Sequence, residues 1–346
     1  MNICHINLAS GYHGGENQTL ELIKHQIRLG YQLTVVANPK SPFFTQVSNL
    51  PCRVVTARHY LLTHSKAVTR SCELVHVHEG RAIYWAWLQY LLYGIPYIVT
   101  RRIDNPLRSK WLSNKAYGNA AFLVGLSNNI AAKIREKFPS QRIEVIPSSP
   151  VTYPVNRANV AQIKQQFKGK FLVIHAANML KHKGFDVTLR AAKALAIRTP
   201  EVHFALLGDG KERPNLELQA SELDNVTFMG KQSNMGDWFT AADLLVHPSY
   251  SEGLGSVILE AMGSGLPVIG ARVGGIPDVI EPDYSGLLIE PGDGGGLADA
   301  IEAIRTNLEL RSKLGAGRDK KLQHFLIENT AKRYEKIYAQ VIAQKK

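Results

Sequence analysis

A chain of 346 residues, 45% apolar and 20% charged, is long enough for two domains and balanced like a globular protein, which excludes disordered and collagen-like readings. Its three cysteines, Cys4, Cys52 and Cys72, form no CxxC pair and no zinc-spaced Cys/His run, so reduced, buried thiols in a cytosolic protein are expected. The formal charge is +12, and residues 1–150 hold 17 Lys and Arg against 7 Asp and Glu, a net of +10. A field of that sign attracts phosphates on nucleic acid, anionic lipid or an acidic acceptor, without choosing among them.

Taken in order, the start Met-Asn-Ile-Cys-His-Ile-Asn-Leu lacks the basic lead and long apolar core of a secretion signal. Residues 2–8 read as a strand leading into Gly11-Tyr12-His13-Gly14-Gly15, and residues 16–29 have helical periodicity up to a stop at Gly30. Further strands are expected at 32–37, 74–77, 97–100, 122–126 and 143–146. The apolar run from Ala82 to Val99 is broken by Gln89, Gly94 and Pro96, so it reads as a buried helix, a turn and a strand, not a membrane span. Continuous apolar strands separated by helices indicate a parallel sheet covered on both faces.

Pro147 to Pro154 reads as a linker, after which the pattern restarts. Strands are expected at 171–176, 202–207, 226–229, 244–247 and 267–270, with a helix at 185–198. The expected fold is therefore α/β: two Rossmann-like, doubly wound domains facing across a cleft, with a ligand at the carboxyl ends of the strands. The domains are placed at 1–150 and 155–325. A final helix, roughly Asn329 to Gln344, carries one apolar stripe and is expected to pack across the domain junction.

The most informative segment runs from Ser251 to Met262. If its helix starts near Gly255, Glu252 lies in the loop before it and Glu260 on it, while the loop amides and the helix start offer positive charge to a diphosphate. An ordinary helix start with solvated carboxylates is the bland alternative. His76 and His78 flank Val77 at a strand end and share a side, but no third ligand of suitable spacing presents itself, and no DxD motif occurs. The stretch from Leu107 to Tyr117 mixes apolar and basic residues at helical spacing. It suits either a surface helix on an anionic membrane or a core-facing helix.

The spacing of Glu252 and Glu260 resembles the E-x7-E motif of the retaining GT-B glycosyltransferases of family 4, the group 1 glycosyl transferases. Gly14-Gly15-Glu16 resembles that family's glycine loop, Lys183-Gly184-Phe185-Asp186 its KGxD-like helix start, and Leu207-Gly208-Asp209-Gly210 its turn after a strand. Ala242-Asp243 through His247-Pro248-Ser249, Gly265 to Ile269 and Gly274-Gly275-Ile276-Pro277-Asp278 complete an ordered series over most of residues 171–290.

The resemblance implies that Glu260 holds ribose hydroxyls, Glu252 the hydroxyls of the transferred sugar, and Lys183 the donor diphosphate. The amides of Gly253, Leu254, Gly255, Ser256 and Val257 would cradle that diphosphate, with Gly14 and Gly15 beside it. Two departures stand out. Asn178 occupies the place of a family arginine, so Lys181 or a first-domain arginine would supply the charge. Arg102 stands where many relatives have a histidine and would meet donor phosphate or an acidic acceptor.

Acceptor-side candidates are His78, Glu79 and Arg101. No metal and no cofactor are expected. The expected partners are a nucleotide-sugar, most commonly UDP-linked, and an anionic glycan or lipid-linked acceptor such as lipopolysaccharide core, with peripheral contact at the inner membrane. A sugar-nucleotide epimerase, a phosphorylase and a basic nucleic-acid-binding protein are the competing readings, although no nucleic-acid reading motif occurs.

Overall fold

The computed structural model describes every residue except His13, Arg108, Ser109, Lys345 and Lys346. The chain forms two compact units, Met1–Ser149 with Phe325–Lys346, and Pro150–His324.

The first unit contains strands β1 (Asn2–Asn7), β2 (Gln32–Ala37), β3 (Arg53–Thr56), β4 (Leu74–Val77), β5 (Tyr97–Arg101), β6 (Phe122–Gly125) and β7 (Ile143–Val145). They form one sheet in the order β3-β2-β1-β4-β5-β6-β7, parallel throughout. The second unit contains β8 (Phe171–Ala176), β9 (Val202–Leu207), β10 (Val226–Gly230), β11 (Leu244–His247), β12 (Val268–Ala271) and β13 (Leu287–Ile289). Their order is β10-β9-β8-β11-β12-β13, again parallel. Each unit is Rossmann-like. Its strand order reverses between β1 and β4 or between β8 and β11, and a parallel sheet opens a crevice at such a reversal.

The apolar strand runs are buried as their sequence requires; β4, β5, β6, β11 and β12 have no exposed residue. The Ala82–Tyr93 helix ends where expected. Gly94 adopts a left-handed conformation at φ 68° and its amide donates to the Tyr90 carbonyl at 2.8 Å. No helix among the described residues is long and apolar enough to cross a membrane.

The basic segment after β5 forms a helix only at Trp111–Gly118, while Arg108 and Ser109 lie outside the described residues. Trp111 is 67% exposed and meets Trp87 edge-on at 6.3 Å.

The last helix, Ile327–Ala343, belongs to the first unit. Its stripe of Ala331, Tyr334, Ile337, Tyr338 and Val341 is buried in that unit's core with Leu20 and Ile23 of the Gly14–Arg28 helix. The stripe anticipated in the sequence is thus a core face of the first unit.

Candidate active site

In the second unit, the loops leaving β8 and β11 meet at the reversal point. Lys183 closes the turn Lys181–Lys183, and the next residue, Gly184, has φ 72°. A Cβ at Gly184 would fall on the Pro248 carbonyl, so only glycine admits this approach. The Tyr250 amide donates to the His182 carbonyl at 2.8 Å, joining the two loops through their backbones. On the other side, the Glu252 carbonyl accepts from the Gly275 amide at 3.1 Å, and a Cβ at Gly274 would collide with that carbonyl. Two glycine motifs therefore grip the backbone that carries Lys183 and Glu252.

Their side chains meet. Lys183 Nζ donates to Glu252 Oε2 at 2.6 Å, His247 Nε2 lies 2.8 Å from the same oxygen, and the Gly253 amide donates to Oε1 at 3.2 Å. Ser249 Oγ stands 3.1 Å from His247 Nε2. Burial by itself would raise the Glu252 carboxyl. The His247 hydrogen bond and the Lys183 charge outweigh it and hold the group well below the usual carboxylate range. An ionised carboxylate is thereby kept beside a cation in a largely water-excluded crevice.

The helix that follows, Ser256–Gly263, begins after Gly255 with no side chain capping its first turn. Its start presents backbone N–H groups and partial positive charge next to this pair. Glu260 lies on the same helix and is buried. Burial pushes its carboxyl up to about 7, against the hydrogen bond from Tyr153 of the preceding linker. The two glutamates of one motif thus have opposite electrostatic settings. Asn178 and Lys181 are exposed near the β8 loop.

The first unit gathers a second group of predicted residues at the carboxyl ends of β1, β4 and β5. Gly14 and Gly15 open the Gly14–Arg28 helix, and a Cβ at Gly15 would lie 3.3 Å from Arg102 Cδ. Arg102 makes no salt bridge among the described residues; its Nη2 is 3.3 Å from His78 Nδ1. Burial lowers its pKa from the ordinary guanidinium value.

The acceptor-side candidates are engaged locally. Glu79 accepts from the Arg81 and Ala82 amides at 2.9 and 2.7 Å, and Arg101 bonds the Asn105 carbonyl and, at 3.4 Å, the Tyr117 hydroxyl. His78 is buried with both ring nitrogens in hydrogen bonds.

The absence of a third histidine is corrected by the fold: parallel pairing of β1 with β4 puts His5 opposite His76. His5, His76 and His78 have candidate ligand atoms within 4.8 Å of one another. Sequence reasoning also missed His247 and Tyr153. The available signal for His247 was its place at the end of β11, immediately before Pro248-Ser249.

Residues 156–321 match the family of glycosyl transferases group 1, and residues 12–149 match glycosyltransferase family 4. Over 98% of this chain and all of the other, the fold superposes on Anabaena HepE, solved with UDP and glucose, at a TM-score of 0.81 and 20% identity. Two units of this kind define the GT-B fold. The chain belongs to the family 4, group 1 glycosyltransferases.

It is 35% identical to the lipopolysaccharide core biosynthesis glycosyltransferase LpsD of Rhizobium meliloti (strain 1021), over 58% of each chain. It is 32% identical to the N-acetyl-alpha-D-glucosaminyl L-malate synthase of Bacillus anthracis, over 55% of this chain and 51% of that one. The matches thus span a little over half the length of these curated relatives.

Proposed function

We propose that this chain transfers a sugar, with retention and without a metal, from a UDP-sugar to an anionic glycan or lipid-linked acceptor. Lipopolysaccharide core, or another surface polysaccharide, is the acceptor class we favour. The observation that carries the reading is the Lys183–Glu252 pair at the β8/β11 reversal, beside an uncapped helix start. UDP is supported by the nucleotide in HepE, and the acceptor class by the name of LpsD and the basic first unit.

In this reading the bond from the anomeric carbon to the diphosphate breaks through an oxocarbenium-like state. Negative charge grows on the leaving oxygen and is met by Lys183 and the amides of Leu254 to Val257. Arg102 of the first unit is read as a cation for a phosphate or an acidic acceptor. The acceptor oxygen bonds to the anomeric carbon, and its proton passes to the departing phosphate oxygen. Glu252, held ionised, accepts hydrogen bonds from the sugar hydroxyls, and Glu260 from the ribose. Lys183 leaves its bond to Glu252 as the diphosphate arrives.

Peripheral contact with an anionic bilayer belongs to the same reading. Leu91 and Leu92 are each 57% exposed at the end of the wholly uncharged Ala82–Tyr93 helix. Lys66 and Arg70 flank it through the Thr69–Gln89 hydrogen bond of 3.3 Å. A Leu91→Ser/Leu92→Ser variant should lose cosedimentation with phosphatidylglycerol vesicles; unchanged binding would remove this part.

The central test is nucleotide release from UDP-, GDP- and ADP-sugars in EDTA, beside Glu252→Ala. One nucleotide released slowly, and lost in the variant, is the expected outcome. Failure of UDP and GDP to bind in calorimetry would overturn the donor site. Dependence on free phosphate would favour a phosphorylase, and sugar-nucleotide isomerisation without acceptor an epimerase.

A further inference from the structure

The three buried histidines of the first unit form one continuous hydrogen-bond chain whose direction is fixed from Arg102 as far as the Tyr338 hydroxyl. Arg102 can only donate, so its Nη2 gives to His78 Nδ1 at 3.3 Å. His78 must then carry its proton on Nε2 and donate to His5 Nδ1 at 2.8 Å. His5 in turn carries its proton on Nε2 and donates to Gln26 Oε1 at 2.7 Å. The Gln26 amide donates to the Tyr338 hydroxyl at 3.2 Å, and that hydroxyl donates to His76 Nδ1 at 2.7 Å. His76 Nε2 donates to Thr100 Oγ1 at 2.8 Å, and Thr100 lies 3.0 Å from the Tyr334 hydroxyl. Arg102 thus sets the tautomers of His78 and His5 and the Gln26 amide orientation, and the Tyr338 hydroxyl, whose one remaining partner is His76 Nδ1, sets that of His76.

The chain uses every ring nitrogen of His5, His76 and His78. A metal at this cluster would take lone pairs already accepting from Arg102, His78 and Tyr338, so the cluster is a hydrogen-bonded strut. Burial agrees with neutrality. It lowers His5 to about 4, and His76 and His78 well below the ordinary histidine value.

We propose that the C-terminal helix orients Arg102 through this one-way chain, with Tyr338 as a positioning residue that touches neither donor nor acceptor. Arg102 needs such a support. Its Nε is buried without a partner, no salt bridge of the head group is found among the described residues, and the Glu16 carboxylate favours its charge. Tyr338 is the one hydroxyl that joins the two halves of the chain, because it both receives from Gln26 and gives to His76. The proposal rests on the reading of Arg102 as a catalytic cation for a phosphate or an acidic acceptor.

The test combines imidazole 15N NMR of the full chain, assigned by single His→Gln variants, with kinetics of Tyr338→Phe, Arg102→Met and their double variant. His5, His76 and His78 should stay neutral and Nε2-protonated from pH 5.5 to 8.5. Tyr338→Phe should lower kcat about tenfold with donor KM within about twofold, and the double variant should match Arg102→Met, because Tyr338 acts only through Arg102.

An Nδ1-protonated or titrating imidazole, or one equivalent of bound zinc, overturns the chain. Independent effects of the two substitutions, or full kcat in either single variant while Glu252→Ala is inactive, overturn the positioning role. If Glu252→Ala retains turnover, the assignment of the transfer site to Glu252 fails instead, and the tautomers in Tyr338→Phe alone decide the chain: a shifted His76 Nδ1 resonance supports it, an unshifted one overturns it.

Discussion

Lys183 and Glu252 stand 69 residues apart in the chain and meet at 2.6 Å, with both side chains less than a fifth exposed. Neither is redundant. Glu252→Gln keeps shape but removes the charge that Lys183 and His247 face, and turnover of the donor should fall about a hundredfold in steady-state nucleotide release. Lys183→Met leaves Glu252 with His247 and the Gly253 amide, so it should fold, at a cost of about 2 kcal/mol in urea denaturation. Because the Glu252 pKa is depressed, its contribution to stability is present above the unfolded carboxylate value of 4.5 and lost as pH falls below it. Glu252→Gln should erase that acid-side loss; an unchanged acid limb would refute the pairing.

Glu260 titrates in the opposite sense. With a folded value near 7 and an ordinary value of 4.5, it makes the folded state bind the extra proton between those limits. Stability should therefore fall as pH rises from 5 to 8, by up to ~3 kcal/mol from this group, and Glu260→Gln should remove the slope and be the more stable form at pH 8. A ribose diol is better accepted by the carboxylate than by the acid. Uridine, which has no phosphate to titrate, should then bind more tightly at pH 8 than at pH 6. The check is calorimetry at both values, and equal affinities would detach Glu260 from the ribose.

Much of this was legible in the sequence, for a physical reason. Strands such as β8 and β11 are buried on both faces and read as unbroken apolar runs, and Gly94 marks a helix end by itself. Edge strands β3 and β13 are only partly buried and, at four and three residues, too short to stand out as runs. The glutamate motif was visible as a local string, but the Lys183–Glu252 bond depends on β8 and β11 being neighbours, which no local spacing encodes. The same holds for His5, which reaches His78 across 73 residues only because β1 lies beside β4. Tyr153 was read as linker, although it hydrogen-bonds Glu260.

Gly184 offers a sharp test of how the site is built. Alanine there meets both an unfavourable φ of 72° and the Pro248 carbonyl, whereas Gly169, at φ 76°, has open space around its Cβ position. Gly169→Ala should cost about 1 kcal/mol, the conformational term alone. Gly184→Ala should cost more than about 3 kcal/mol or push the β8 loop off the β11 loop, carrying Lys183 away from Glu252 and abolishing turnover. Equal penalties in chemical denaturation, with activity retained in both, would mean that the Pro248 contact is not a constraint.

The C-terminal helix makes the last prediction. Its buried stripe belongs to the core of a unit otherwise built from the first 149 residues, so that core is completed only after the second unit has been synthesised. Removing residues 325–346 deletes Tyr334, Ile337, Tyr338 and Val341 from the core, each 2% exposed or less, and strands His76 Nδ1 and the Gln26 amide without their partner. The burial of four large side chains is worth several kcal/mol, comparable to the whole stability of an ordinary domain. The chain ending at His324 should therefore lose cooperative unfolding of its first unit, read by protease resistance of fragments. Residues 150–324, which contain none of these contacts, should remain protected. Equal protection of both units in the truncated chain would show that the helix is an accessory and not part of the fold.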